Sequence, residues 1–167
     1  PGPGVGRGEI NGGHGVLGGN GARAVLDQAA GDPDAMHLMA LVYCRQGRTG
    51  EASALFVRAI AAKPADTAIR NSFAAALMEQ GRKEDAVTVL QQALQVNRGD
   101  PLTLKNLGAA LAASGQLMAA ARHFQQATEL KPDFAEAHIG LAGALRDLCR
   151  ADEALTHARR ATQLQPN

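Results

Sequence analysis

Lys105 and Asn106 stand side by side in the stretch LKNLGAALAASG, residues 104–115, with Gly108 and a run of alanines behind them. An amine beside a carboxamide over small residues could form a reactive lysine or an anion-binding point. Other residues invite a chemical reading too. GHGVLG, residues 13–18, fits G-x-G-x-x-G, but that fingerprint needs a strand before it and a βαβ unit around it. Here Pro/Gly-rich chain precedes it and a helical pattern follows, so no dinucleotide site is expected. Cys44 and Cys149 form neither a CxxC pair nor a zinc spacing and are expected as buried thiols, kept reduced. His123 and His157 have no nearby Cys or carboxylate pair to complete a metal site and are expected to be exposed. No metal or other cofactor is expected.

Composition narrows the function classes. In 167 residues, 17 Lys and Arg face 16 Asp and Glu, a net charge of +1. That balance gives no push toward nucleic acid or an anionic membrane. Aromatics make up 3% of residues and Trp is absent, so base-stacking platforms are missing. No apolar run reaches the roughly 18 residues of a membrane span, and the N-terminus lacks the order of a signal peptide. A cytoplasmic protein is the expectation. Residues 1–21 hold more than half of the glycines and are expected to be flexible or irregular.

The elements that would position any site repeat along the chain. RQGRTGEASALFVRAIAAKP (45–64), EQGRKEDAVTVLQQALQVNR (79–98), ASGQLMAAARHFQQATELKP (113–132) and DLCRADEALTHARRATQLQP (147–166) align without gaps at a constant spacing of 34. Ala52, Ala86, Ala120 and Ala154 match, as do Ala59, Ala93, Ala127 and Ala161. Residues this small let helices approach closely. Met39, Phe73, Leu107 and Leu141 recur with Tyr43, Leu77, Leu111 and Leu145 one turn on, which makes an apolar stripe. Gly47, Gly81 and Gly115 suit the left-handed residue after a helix, and Cys149 takes that place in the last copy. Pro64, Pro132 and Pro166 stop the second helix, where Arg98 stands in the second copy. Asp32–Pro33 and Asp100–Pro101 read as N-caps followed by proline at the first helical position. The acids Glu51, Glu84–Asp85 and Asp152–Glu153 start second helices, where they favour the dipole, so paired-acid catalysis is not expected.

This pattern resembles the tetratricopeptide repeat. The third copy carries it best, in Leu104, Leu107-Gly108, Leu111, Ala120, Phe124, Ala127 and Pro132. The resemblance covers four copies, 33–66, 67–100, 101–134 and 135–167, with a degenerate half repeat of one helix over 22–32. It implies an all-α fold, a right-handed superhelix (solenoid) of antiparallel helix pairs with the first helices on the concave face. It also implies a non-enzymatic module that binds a protein or peptide segment in that groove.

The groove places that the resemblance implies are His37, Leu41, Cys44 and Arg45, then Asn71, Ala75, Met78 and Glu79. The third copy offers Lys105, Asn106, Ala109 and Ala112, and the last Glu136, Ile139, Gly143, Arg146 and Asp147. Lys105 and Asn71 match part of the carboxylate clamp of some family members. Only Asn106 matches the asparagine ladder of others; Leu38, Ser72 and Gly140 do not. Ala158, in the place of Phe56 and Phe124, with Arg159 and Arg160 beside it, suits a terminal unit, yet no capping helix follows it. Two alternatives follow: a recognition domain cut from a larger enzyme of glycosyltransferase, sulfotransferase or hydroxylase type, and a scaffold that self-associates through uncapped ends.

Overall fold

The computed structural model describes residues 31–165. The expected irregular segment 1–21, residues 22–30 of the expected half repeat, and Pro166 with Asn167 lie outside them. Among the described residues there are eight helices and no strand: α1 (Pro33–Arg45), α2 (Thr49–Ala62), α3 (Thr67–Glu79), α4 (Lys83–Val96), α5 (Pro101–Ala113), α6 (Leu117–Leu130), α7 (Ala135–Asp147) and α8 (Ala151–Leu164). No helix among them is long and apolar enough to cross a membrane.

Local chemistry sets the helix ends. The Asp32 carboxylate accepts from the Asp34 N–H at 3.0 Å, and Asp100 from the Leu102 and Thr103 N–H groups, both at 3.2 Å. Asp66 caps α3 in the same way, accepting from Ala68 at 2.8 Å without a following proline. The second helices have no side-chain cap. Three of them instead carry an arginine at the N-cap, paired with an acid three residues on: Arg48–Glu51, Arg82–Asp85 and Arg150–Glu153. These pairs are exposed and add little.

Gly47, Gly81 and Gly115 adopt φ of 73, 75 and 77° and end the first helices. Past each, the chain closes back on the helix, as where the Gln116 N–H donates to the Leu111 carbonyl at 2.9 Å. Cys149 takes the same geometry with φ 60° and the same closure, Arg150 N–H to the Leu145 carbonyl at 2.9 Å. On this turn it is exposed, and Cys44 is half-buried, contrary to the expectation of two buried thiols. The Cys149 Cβ makes the turn conformation costly. α4 stops where its counterparts stop although Arg98 replaces the proline. There the Gly99 N–H turns back onto the Asn97 side-chain oxygen at 3.2 Å, an Asx turn that does the work of the missing ring.

The pairs stack into a solenoid. Each second helix packs on its own first helix and on the first helix of the next pair. Successive first helices also touch one another, and successive second helices have no comparable contact. The first helices therefore form the inner row. The repeated alanines are the closest points of this packing: Ala52, Ala59, Ala86, Ala93, Ala120 and Ala127 are wholly buried. Phe124 shows how tightly a ring is seated. A Cβ at Gly108 would fall 2.9 Å from it, and one at Gly140, across the seam to the next pair, 2.3 Å. Gly108 makes room as its small size suggested; Gly140 does so too, without a signal of its own in the repeat pattern. Leu104, Ala127 and Ala137 form a buried cluster across that same seam, with Leu94 and Phe134 against it.

The strain at Cys149 is open to test. Cys149→Gly should raise the unfolding free energy by about 1 kcal/mol, read from chemical denaturation, after the larger gain at φ is offset by the freer unfolded chain.

Candidate functional site

The inner row presents a line of small and apolar residues. Leu41, Ala75 and Ala109 hold equivalent places on α1, α3 and α5, and all are exposed; Gly143 continues the line on α7, half-buried. Charged side chains flank it. Arg45, Glu79 and Arg146 are exposed, and Arg146 is paired with Asp147 at 2.8 Å. Met78 is half-buried, and Ile139 is exposed. The His37 ring lies 5.9 Å from Phe56, and its Nε2 is buried with no hydrogen-bond partner. Burial, with the charge of Glu79 adding to it, pushes the Cys44 thiol up. That keeps it protonated and a poor nucleophile.

Lys105 and Asn106 part company here. Lys105 is half-buried, with its ammonium 6.0 Å from the centre of the Phe134 ring, and Lys131 approaches the same ring at 5.0 Å. Asn106 turns sideways and donates to the Asn71 side-chain oxygen at 2.8 Å.

Asn71 corrects the reading of this residue as a groove contact. It is only 6% exposed. Its amide nitrogen donates to the Thr67 carbonyl at 3.0 Å and to the Thr103 hydroxyl at 2.7 Å. Thr103, wholly buried, in turn donates to Asp100, the cap of α5. Asp100, Thr103, Asn71 and Asn106 thus form one polar chain that joins α3 to α5. Both amide protons of Asn71 are used inside the protein, so they are not available for a clamp.

Two further buried polar residues escaped the sequence reading. The Arg70 Nη1 donates to the Pro64 carbonyl at 2.7 Å, and His138 Nε2 meets the Pro132 carbonyl at 3.2 Å. They hold the same place in the second and fourth copies, and each binds the carbonyl of the helix-stopping proline before it. That shared offset from Pro64 and Pro132 is the signal that could have found them. His138 Nε2 donates to the Pro132 carbonyl, and its Nδ1 lies 3.0 Å from His157 Nδ1, the rings stacked 5.3 Å apart. His157 is therefore half-buried on a partner, contrary to the expectation of an exposed ring. His123 is also half-buried, 3.1 Å from the Gln126 side-chain oxygen. Among the described residues no group of three or more His, Cys, Asp or Glu side chains could hold a metal ion.

Comparison with known proteins follows the same lines. Residues 43–111 and 105–167 each match a family model described as tetratricopeptide repeat. No curated protein matches the chain in sequence. Among solved structures, MamA from Desulfovibrio magneticus RS-1 superposes with a TM-score of 0.74 at 19% identity, covering 87% of this chain and 84% of its own. YrrB, described as a tetratricopeptide-repeat protein with an unusual peptide-binding site, gives 0.70 at 23%, over 87% and 75%. PilF of Pseudomonas aeruginosa gives 0.76 at 20%, over 87% and 66%.

The polar chain carries a first test. Asn71→Ala leaves Thr103 and Asn106 short of partners and should cost about 1–3 kcal/mol of stability, whereas Lys105→Ala should stay within about 0.5 kcal/mol. Denaturant titrations of the two variants separate them.

Burial holds the His157 ring below its ordinary range, with His138 adding to the effect and Glu153 opposing it. Burial does the same for His123, with the Gln126 hydrogen bond opposing and Arg122 adding. A histidine held low in the folded chain takes up its proton more readily when unfolded. Stability is then full above the unfolded imidazole value and falls as pH drops through it and through the lowered folded value. The thermal midpoint should decline from about pH 7 to about pH 5, and replacing both rings with Gln should flatten the decline.

Proposed function

We propose that this chain, which belongs to the tetratricopeptide-repeat family, is a non-enzymatic protein–protein interaction module that takes a peptide segment of another protein along its inner row of helices. The observation that carries this reading is the exposed line Leu41, Ala75 and Ala109. The alanines at the stacking contacts are buried because packing requires them. These three are small or apolar, at the same repeat place, and nothing in the fold needs them to be.

A floor of this kind admits a backbone at close range, as an extended strand or one face of a helix, and the flanking charges set its direction. Arg45, Glu79 and Arg146 offer both signs along the line, so the partner carries mixed charge. Lys105 is the residue best placed for a charge-assisted contact with a carboxylate on the peptide. Asn71 and Asn106 support it only indirectly, by fixing α3 against α5. YrrB, which shares the fold, is a peptide binder by its description. The groove residues here are this chain's own.

The test uses peptides selected from a random library against the wild-type chain. Ala75→Glu and Ala109→Glu alter exposed side chains and should leave the melting temperature nearly unchanged. Each should weaken the selected peptides at least about tenfold, equal to about 1.4 kcal/mol. Binding that survives both substitutions moves the site off this face.

A further inference from the structure

The two ends of the described stack are complementary. A cleft of about 730 Å³ lies on α7 and α8, lined by residues that include Ile139, Ala142, Ala154, Leu155, Ala158 and Ala161. It is the face that, in every preceding pair, the next first helix covers. Ala121 is 7% exposed under such a cover, and Leu155, its equivalent, is 50% exposed. At the other end, α1 presents the covering surface itself. Ala76, Ala110 and Ala144 are buried against the preceding pair, while their equivalent Val42 is 49% exposed, and Leu38 beside it 64%.

We propose that the chain stacks head to tail on a second copy of itself, α1 of one copy seated in the α7–α8 cleft of the other. The residue types at the two ends fit a second copy, because each end supplies what the other lacks. Inside the stack the large Phe124 ring sits on Gly140 of the next pair. At the ends the sizes are exchanged: Ala158 stands in the place of Phe124, and Leu38 in the place of Gly140. One seam joins a large residue to a small one, and the other a small residue to a large one.

The polar chain is exchanged in the same way. Asn71 donates to Thr103 and accepts from Asn106 across an internal seam. The three equivalent places at the ends are Ile139, Ala35 and Leu38. A lone amide there would be buried without a partner; an isoleucine meeting an alanine and a leucine is not. The end seam is the apolar counterpart of the internal one, and both halves of it are carried by one chain. This contact is heterologous. Repetition along a superhelix does not return to its start, so the product is an open series of increasing length. It does not depend on what the inner row binds.

The experiment is sedimentation velocity on the full 167-residue chain over a wide range of concentration. The average mass should grow with concentration and reach no plateau. Leu38→Asp blocks the head and Ala158→Arg blocks the tail. Both side chains are exposed, so circular dichroism and the melting temperature should match wild type, and each variant alone should remain a monomer. Mixed, the two should form a one-to-one dimer and nothing larger, since only one head and one tail remain intact. A wild-type chain that is monomeric at every concentration, as it would be if some other helix fills the cleft, overturns the proposal. So does association that persists in either single variant, or a mixture that fails to dimerise.

Discussion

A short helix pair cannot cover its own apolar stripe, and this constraint governs nearly everything in the described residues. Each pair closes over alanines small enough for the backbones to approach, and the next pair must then arrive at the same short range. The alanines that recur at two places in each second helix are buried because any larger side chain would hold the seam open. Phe124, seated against two glycines, is the same constraint met from the other side: where the ring is large, its neighbours have no Cβ. Propensity, caps and turns only deliver helices of the right length to these contacts.

Features that act within one copy were legible in the sequence. The Asp–Pro helix starts, the glycines of positive φ, the strained Cys149 and the alanine contacts are all local or periodic, and each appears where the pattern puts it. Asp66 was missed because no proline advertises it, and the stop after α4 because an Asx turn at Asn97 replaces a ring with a side-chain oxygen. What acts between copies was harder to see. Asn71 reads as a groove residue by its place in the repeat. Its partners Thr103 and Asn106 lie 32 and 35 residues away, and they capture it only once α3 and α5 are side by side. Arg70 and His138 look like surface residues until the proline carbonyls they serve are considered.

The candidate site was legible as a row and not as a set of contacts. Ala75 and Ala109 are exposed by the same periodicity that buries the alanines one face away. Periodicity says which face a residue shares, and burial follows from it. It does not say which polar side chains on that face are already spoken for. Asn71, and with it the simplest form of a carboxylate clamp, was lost to that distinction, and Lys105 was not.

The seams of this stack are chemically unlike one another. The first joins Phe56 to Phe73 in stacked rings 5.1 Å apart. The second is an amide–hydroxyl chain, and the third a ring pressed onto glycine. A nascent chain with several near-identical repeats risks docking a unit onto the wrong neighbour, skipping one copy or exchanging units with another molecule. Here a skip is punished. Asn71 facing Ala137 and Gly140 would bury an amide without a partner, and Leu90 on Gly140 would leave a void where Phe124 fits. Deviations from the consensus, which read as decay when the copies are aligned, thus act as an address for each unit and fix the order in which the stack is built.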